Sequence, residues 1–509
     1  MPILSRPWTV AVATAYLLLM LAIGVWAARR TRSPRDFFIA GQRLGVWVTA
    51  FATMSAAFSG FVFLGGPGLT YEIGLSSLLI NASIGYTAAL LCWVVGKKLR
   101  LLAGRHEIYT LPDAIAVRFG SRWATSLGAL SVAVGTVGYL AAQLLALGIL
   151  LEAILGTRST LGPWSLPVAL AAGLLVLLFY SVAGGMVAGV YTDVIQGALM
   201  LLAAVGVFYW ALHVTGGWSQ ALSSIASAKQ FGTRFLTPLG RVPALTGLGF
   251  LFVFGVGVLG QPHMLHKFFM LEDIRDLRWL PLLLGGSQAL CLLIWFGIGV
   301  AIPALVSQHR LLPLANPDRA APLFLLRFTP DLLAGVALAA VLAAIMSTAD
   351  SLLNIGAAAL VRDLPGAWGR RVRDELRWGR WATVAIAILA ALLGYFYGDL
   401  VALLGTFAFG TFAAALAPTL AIGLNWPAVD GTAAAWSIGA GLGGNLIFEW
   451  MARQRALAFL PRFPAGALPS AAALALSFTV LLLVAGVRRT RGVVERLPAE
   501  VQAIVEGSS

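Results

Sequence analysis

The sequence predicts an all-α polytopic membrane protein with about 13 transmembrane helices, two of them broken near their middles. Composition is the first reason: 59% of the 509 residues are hydrophobic, only 11% are charged, and mean hydropathy is +0.88. That is too apolar for a soluble domain of this size. The second is a series of thirteen apolar stretches at the scale of a bilayer-spanning helix, the first centred near Leu18 and the last near Ala475. The third is a pair of Gly- and Pro-rich interruptions, five spans apart. No hydrophilic block is long enough for a separate catalytic or regulatory domain, so residues 1–509 read as one membrane domain. Cys92 and Cys291 both fall in apolar runs and support neither a disulfide framework nor a metal cluster.

The first span, residues 8–28, is too long and lacks the small-residue cleavage site of a signal peptide. Arg29, Arg30, Arg32 and Arg35 follow it as a basic turn. The second span carries Ser55, Ser59, Gly60, Gly65, Gly66, Pro67 and Gly68 inside an otherwise helical run. Proline removes a backbone donor and glycine eases non-helical torsions. Carbonyls freed in this way are tolerated in lipid only where protein or a cavity covers them. A matching break, Phe254 to His263 with Gly255, Gly257, Gly260 and Pro262, interrupts the seventh span. Two broken helices at corresponding places in two five-helix halves point to an inverted-repeat transporter, a repeat read from this placement and not from sequence similarity between the halves, which is too weak to claim.

Between the breaks, Thr110 and Pro112 open a short amphipathic helix, and the fifth and sixth spans meet at a Gly184-Gly185 turn followed by Thr192-Asp193. His263 and His266 flank a cytoplasmic turn with Lys267 and match no metal-ligand spacing. The ninth span, about Leu332 to Leu360, carries the most unusual pattern. Ser347, Asp350, Ser351 and Asn354 lie at i, i+3, i+4 and i+7 and share one helix face, with Thr348 beside it. A carboxylate on such a stripe must face the bundle interior or water. Oxygen-only donors of this kind suit a hard cation.

An odd number of spans puts the termini on opposite sides. The connections after spans 1, 3, 5, 7, 9, 11 and 13 hold 24 of the 35 Lys and Arg. This bias places the amino terminus outside and the carboxyl terminus in the cytoplasm. The net charge of +14 then faces an anionic inner leaflet and gives no reason to invoke nucleic acid.

From Phe37 to about Gly443 the chain resembles the sodium:solute symporter family. The marks are Ile345-Met346-Ser347-Thr348-Ala349-Asp350-Ser351, Gly184-Gly185 with Thr192-Asp193, Gly260-Gln261-Pro262-His263, and Gly65-Gly66-Pro67-Gly68. The resemblance implies a LeuT-type 5+5 inverted repeat: an extra first helix at 8–28, repeat one at about 45–215, repeat two at about 241–424, extra C-terminal helices at about 430–487 and a short tail at 488–509. It also implies a sodium site made by the carbonyls of Ser55, Phe58 and Ala344 and the hydroxyls of Ser347 and Thr348. A second cation, or a proton, would sit with Asp193, Asp350 and Ser351. Phe254 and Gln261 would contact the solute. Relative to the sodium/proline pattern, Phe254 and Val258 replace a Trp and a Tyr, Gln42 replaces an Arg and Ala57 replaces an Asp. These departures argue against proline.

The expected function is sodium-coupled symport of a small organic solute into the cell by alternating access, with sodium, solute and lipid as its partners. Proton-coupled transport through Asp193 and Asp350, or solute sensing in the membrane, are the alternatives. No nucleophile, base and orienter converge, so an enzyme is not expected.

Overall fold

Every regular element among the described residues is helical, with no strand. The structure is a computed structural model and describes residues 6–28, 44–397, 400–453, 463–492 and 497–507, without the side chains of 21, 24–28, 179–188 and 376. Gln42 and the basic turn at Arg29–Arg35 lie outside the described residues.

Among the described residues, eight helices are long and apolar enough to cross a membrane: Arg122–Leu155, Arg158–Leu178, Gly189–Thr215, Leu280–Ser307, Asp331–Gly366, Arg377–Tyr397, Val401–Ala421 and Pro469–Thr490. Two bent pairs add to these. Val46–Ala57 meets Phe61–Ile80 at 53°, and Ala244–Gly260 meets Pro262–Met270 at 44°. Helical segments at Pro7–Ala28, 84–105 and Gly431–Arg453 occupy the three remaining expected positions. The expected span numbers therefore apply, with spans 2 and 7 as the bent pairs and span 9 as Asp331–Gly366.

Spans 4, 9 and 11 form the inside of the bundle, each buried over 83% of its central stretch, whereas spans 5, 10 and 13 are buried over 28%, 22% and 33%. Close approach in lipid depends on small residues. A Cβ on Gly66 would fall 2.1 Å from the Trp295 ring, and one on Gly441 would fall 2.0 Å from the Ala414 carbonyl oxygen. Span 1 braces the core from outside the repeats. Its Trp8 and Thr9 amides donate to the Asp331 carboxylate at 3.0 and 3.1 Å, and the Gln196 amide donates to the Tyr16 hydroxyl at 2.9 Å.

The connection after span 3 forms as expected. Helix Leu111–Phe119 starts with a Thr110/Asp113 capping box and Pro112 in its first turn. Its Arg118 is not a solvated charge. It is 1% exposed and donates to the carbonyls of Gly423, Trp426 and Val429, clamping the connection after span 11. Burial lowers the Arg118 pKa to about 10, against the opposing effect of Asp430.

The expected junction at Gly184-Gly185 falls within residues 179–188, outside the described side chains. One expectation needs correction. His263, His266 and Lys267 are not in a cytoplasmic turn. They lie in the second limb of span 7 and are 1%, 3% and 1% exposed.

Candidate functional site

The site forms where the break in span 2 meets the polar face of span 9. Helix Val46–Ala57 ends at Phe58, whose backbone is extended (φ −96°, ψ 101°). The Val62 amide, which a continuous helix would direct to the Phe58 carbonyl, bonds the Ser59 carbonyl at 2.9 Å instead. The Phe58 carbonyl is thereby released from the helical ladder. Gln143 of span 4 holds the break open by accepting from the Gly60 amide at 2.9 Å. Gly60 is required here, because a Cβ would lie 2.8 Å from that of Ala146 and 2.9 Å from Ile345.

Facing this break, Ser347 and Thr348 are 2% and 0% exposed. The Ser55 hydroxyl donates to the Ser347 hydroxyl at 2.8 Å, and the Thr348 hydroxyl donates to the Ala56 carbonyl at 3.2 Å. Ser55, Ser347 and Thr348 of the expected sodium set thus meet along one seam, with Phe58 at the end of the helix that carries Ser55. Ala344 is buried one turn earlier on the same helix as Ser347 and Thr348. The contacts run through the Ser55 side chain and the Ala56 carbonyl, whereas the sequence pointed to the Ser55 carbonyl.

Asp193 joins the same seam. It accepts from the Ser347 hydroxyl through one carboxylate oxygen, and its other oxygen lies 2.8 Å from the Lys267 ammonium. Both residues are buried, so this is a charge pair removed from water. A hydrogen-bonded chain therefore runs Lys267–Asp193–Ser347–Ser55 across spans 7, 6, 9 and 2. Asp350 and Ser351 are 5% and 4% exposed. A Cβ on Gly189, one turn before Asp193, would come within 2.8 Å of the Asp350 carboxylate. Both acids thus face the same interface between spans 6 and 9. The structure unites Asp193 with the first expected ligand set and sets Asp350 beside it.

A pocket lies between the two breaks. Phe58, Phe61, Phe254 and Phe409 line it with Tyr139, and Asn81, His263 and Gln288 add polar groups. Phe254 stacks between Phe61 and Phe409, at centroid distances of 5.8 and 4.4 Å. Gln261 does not line it. The Gln261 side-chain amide donates to the Gly257 carbonyl at 3.2 Å, an acceptor that the second break frees, and to the Phe409 carbonyl of span 11 at 3.0 Å.

Lys267, Asn81, Gln288 and Gln143 were not singled out in the sequence. The three amides share one available signal, a lone polar side chain within or bordering an apolar helix. Lys267 had none, since a Lys beside two His and before an acidic turn reads as loop.

Comparison with known proteins agrees with this architecture. The family model for the sodium:solute symporter family matches residues 37–441. The sodium/proline symporter of Escherichia coli is 29% identical over 84% of this chain and 85% of its own length. The sodium/pantothenate symporter of the same organism is 28% identical over 81% and 84%. The osmoregulated proline transporter OpuE of Bacillus subtilis is 26% identical over 84% and 86%. Among solved structures, a Na+-coupled sialic acid symporter superposes with a TM-score of 0.75 at 18% identity, covering 97% of this chain and 99% of that one. A nucleobase-cation-symport transporter, MHP1, gives 0.60 at 14% identity over 93% and 99%. The fold is the LeuT type, and the chain belongs to the sodium:solute symporter family of membrane transporters.

Proposed function

We propose that this protein carries a small organic solute into the cell together with sodium, alternating between outward-open and inward-open states around a mid-membrane site. The observation that carries this reading is the seam of oxygens between Ser55–Phe58 and Ser347–Thr348, assembled where unwound backbone meets a polar helix face. The carbonyls of Ser55, Phe58 and Ala344 and the hydroxyls of Ser347 and Thr348 offer neutral oxygen only, a donor set for a hard monovalent cation. Asp193, Asp350 and Ser351 would hold a second cation or a proton, and Phe254 would pack against the solute. The amino terminus lies outside and the carboxyl terminus in the cytoplasm, as the distribution of Lys and Arg directs.

Coupling follows from linkage. If sodium stabilises the state in which the solute pocket is formed, solute binding strengthens sodium binding by the same factor. Inward sodium movement supplies about 2.3 kcal/mol per 100 mV and about 1.4 kcal/mol for a tenfold gradient. One ion per solute then sustains roughly a few-hundredfold accumulation.

The test is equilibrium binding of radioactive sodium to purified protein, comparing wild type with Ser347→Ala and Asp350→Asn. Saturable binding that is lost in Ser347→Ala supports the reading. No saturable binding in the wild type overturns it and leaves proton coupling through Asp193 and Asp350 to be examined by acid-driven uptake.

A further inference from the structure

We infer that the solute is uncharged: a planar, largely apolar small molecule that both donates and accepts hydrogen bonds at its edge. The inference rests on the symport reading and narrows the substrate class of the same pocket. Three independent features support it.

The first is the pocket's charge. No Lys, Arg, Asp or Glu lines it among the described residues. Lys267, three residues beyond the lining residue Met264, is closed on Asp193 at 2.8 Å. A solute carrying a net charge, or a carboxylate and an ammonium, would enter with no ionised side chain to pair with, and a buried unpaired charge is strongly disfavoured.

The second concerns the backbone. A broken helix ordinarily offers its unpaired amides to an anionic group. Here most of those donors are bonded within the chain. The Gly60 amide is held by Gln143, the Phe61 amide by the Ser59 hydroxyl at 3.2 Å, and the Val62 and Phe63 amides by the Ser59 carbonyl. At the second break Pro262 has no N–H, and the Met264 and Leu265 amides close onto the Gln261 carbonyl.

The third is what the pocket leaves open. Asn81 Nδ2, Gln288 Oε1 and His263 Nδ1 line or border this cavity as buried atoms without a hydrogen-bond partner among the described residues. Gln288 and His263 are 5% and 1% exposed. Buried polar atoms are ordinarily paired, so three of them converging on one cavity mark where a ligand's edge belongs. Each amide presents a donor and an acceptor whichever way it is turned, so the solute edge must offer both. The stacked Phe61, Phe254 and Phe409 rings supply an apolar wall, and aromatic rings favour a flat partner in offset contact.

The experiment pairs uncharged rings with their carboxylates: nicotinamide with nicotinate, uracil with orotate, and L-proline as a zwitterion. Each is added to purified protein in sodium or choline chloride, and thermal stability and electrogenic current in proteoliposomes are read together. At least one uncharged member is expected to raise the melting temperature and evoke a current in sodium, while no carboxylate does either. Gln288→Leu is expected to weaken that member about tenfold, the effect of one lost hydrogen bond. Retained binding of radioactive sodium shows that the variant is folded. Stabilisation by nicotinate, orotate or proline overturns the inference, as does the failure of every uncharged member while the wild type still binds sodium. If sodium binding is absent but an uncharged ring still stabilises the protein, the pocket assignment stands and the symport reading falls.

Discussion

Replacing Lys267 by Met tests whether the buried pair with Asp193 organises the ion site. Both side chains are almost fully buried, at 1% and 2% exposure, and their charged atoms are 2.8 Å apart. In Lys267→Met the Asp193 carboxylate keeps the hydrogen bond from Ser347 but loses its counter-charge. Breaking one side of a buried pair costs about 3–5 kcal/mol, because the remaining charge is stranded away from water. The loss should be largest in choline chloride. In sodium chloride a cation held at Ser347 lies next to the stranded carboxylate, and binding at a hundredfold excess over the dissociation constant returns about 2.7 kcal/mol. The assay is thermal unfolding of detergent-purified protein in each salt, for wild type, Lys267→Met, Asp193→Asn and the double variant. Lys267→Met is expected to melt well below wild type in choline, to recover partly in sodium, and to be rescued by the second substitution, since a neutral pair strands nothing. An unchanged melting temperature in choline, or strictly additive losses in the double variant, would refute the reasoning.

Asp318, in the connection between spans 8 and 9, is 2% exposed; one carboxylate oxygen accepts from the Val401 amide at 3.0 Å and the other has no partner among the described residues. Burial raises its pKa from 3.8 to about 7, against the hydrogen bond from Val401, so the folded protein holds this proton more tightly than the unfolded chain does. Stability is therefore greatest below about pH 4 for this group and falls as pH rises through 7, by at most about 4 kcal/mol; melting temperatures between pH 5 and 8 should flatten in Asp318→Asn, and an identical slope in that variant would count against the assignment. Gly441→Ala forces a Cβ to within 2.0 Å of the Ala414 carbonyl oxygen, backbone that cannot step aside without moving span 11. A loss of roughly 1–3 kcal/mol is expected, read as a lower melting temperature, and equal stability of the two proteins would show that spans 11 and 12 separate freely.

What the sequence disclosed, and what it hid, follows from the range over which each signal acts. Both broken helices were legible because Gly and Pro stand out in an apolar run. The Ser347–Asp350–Ser351 face was legible because helical periodicity puts those residues together without knowledge of any other span. The Thr110–Pro112 cap was equally local, and it formed as read. Lys267 fails this criterion. Its partner is 74 residues away, and its neighbours in sequence are those of a loop. Only the return of span 7 against span 6 turns an apparent surface charge into the counter-ion of Asp193. Gln261 shows the converse. A polar side chain at a helix break suggests a ligand contact, but breaking a helix in a membrane leaves carbonyls to satisfy, and the residue at the break is closest to them. Its amide is spent on Gly257 and Phe409. Gln288 has no such local duty, because the helix around it is continuous and leaves no carbonyl unpaired. A polar atom left over in an intact helix is therefore a better pointer to a ligand than one beside a break.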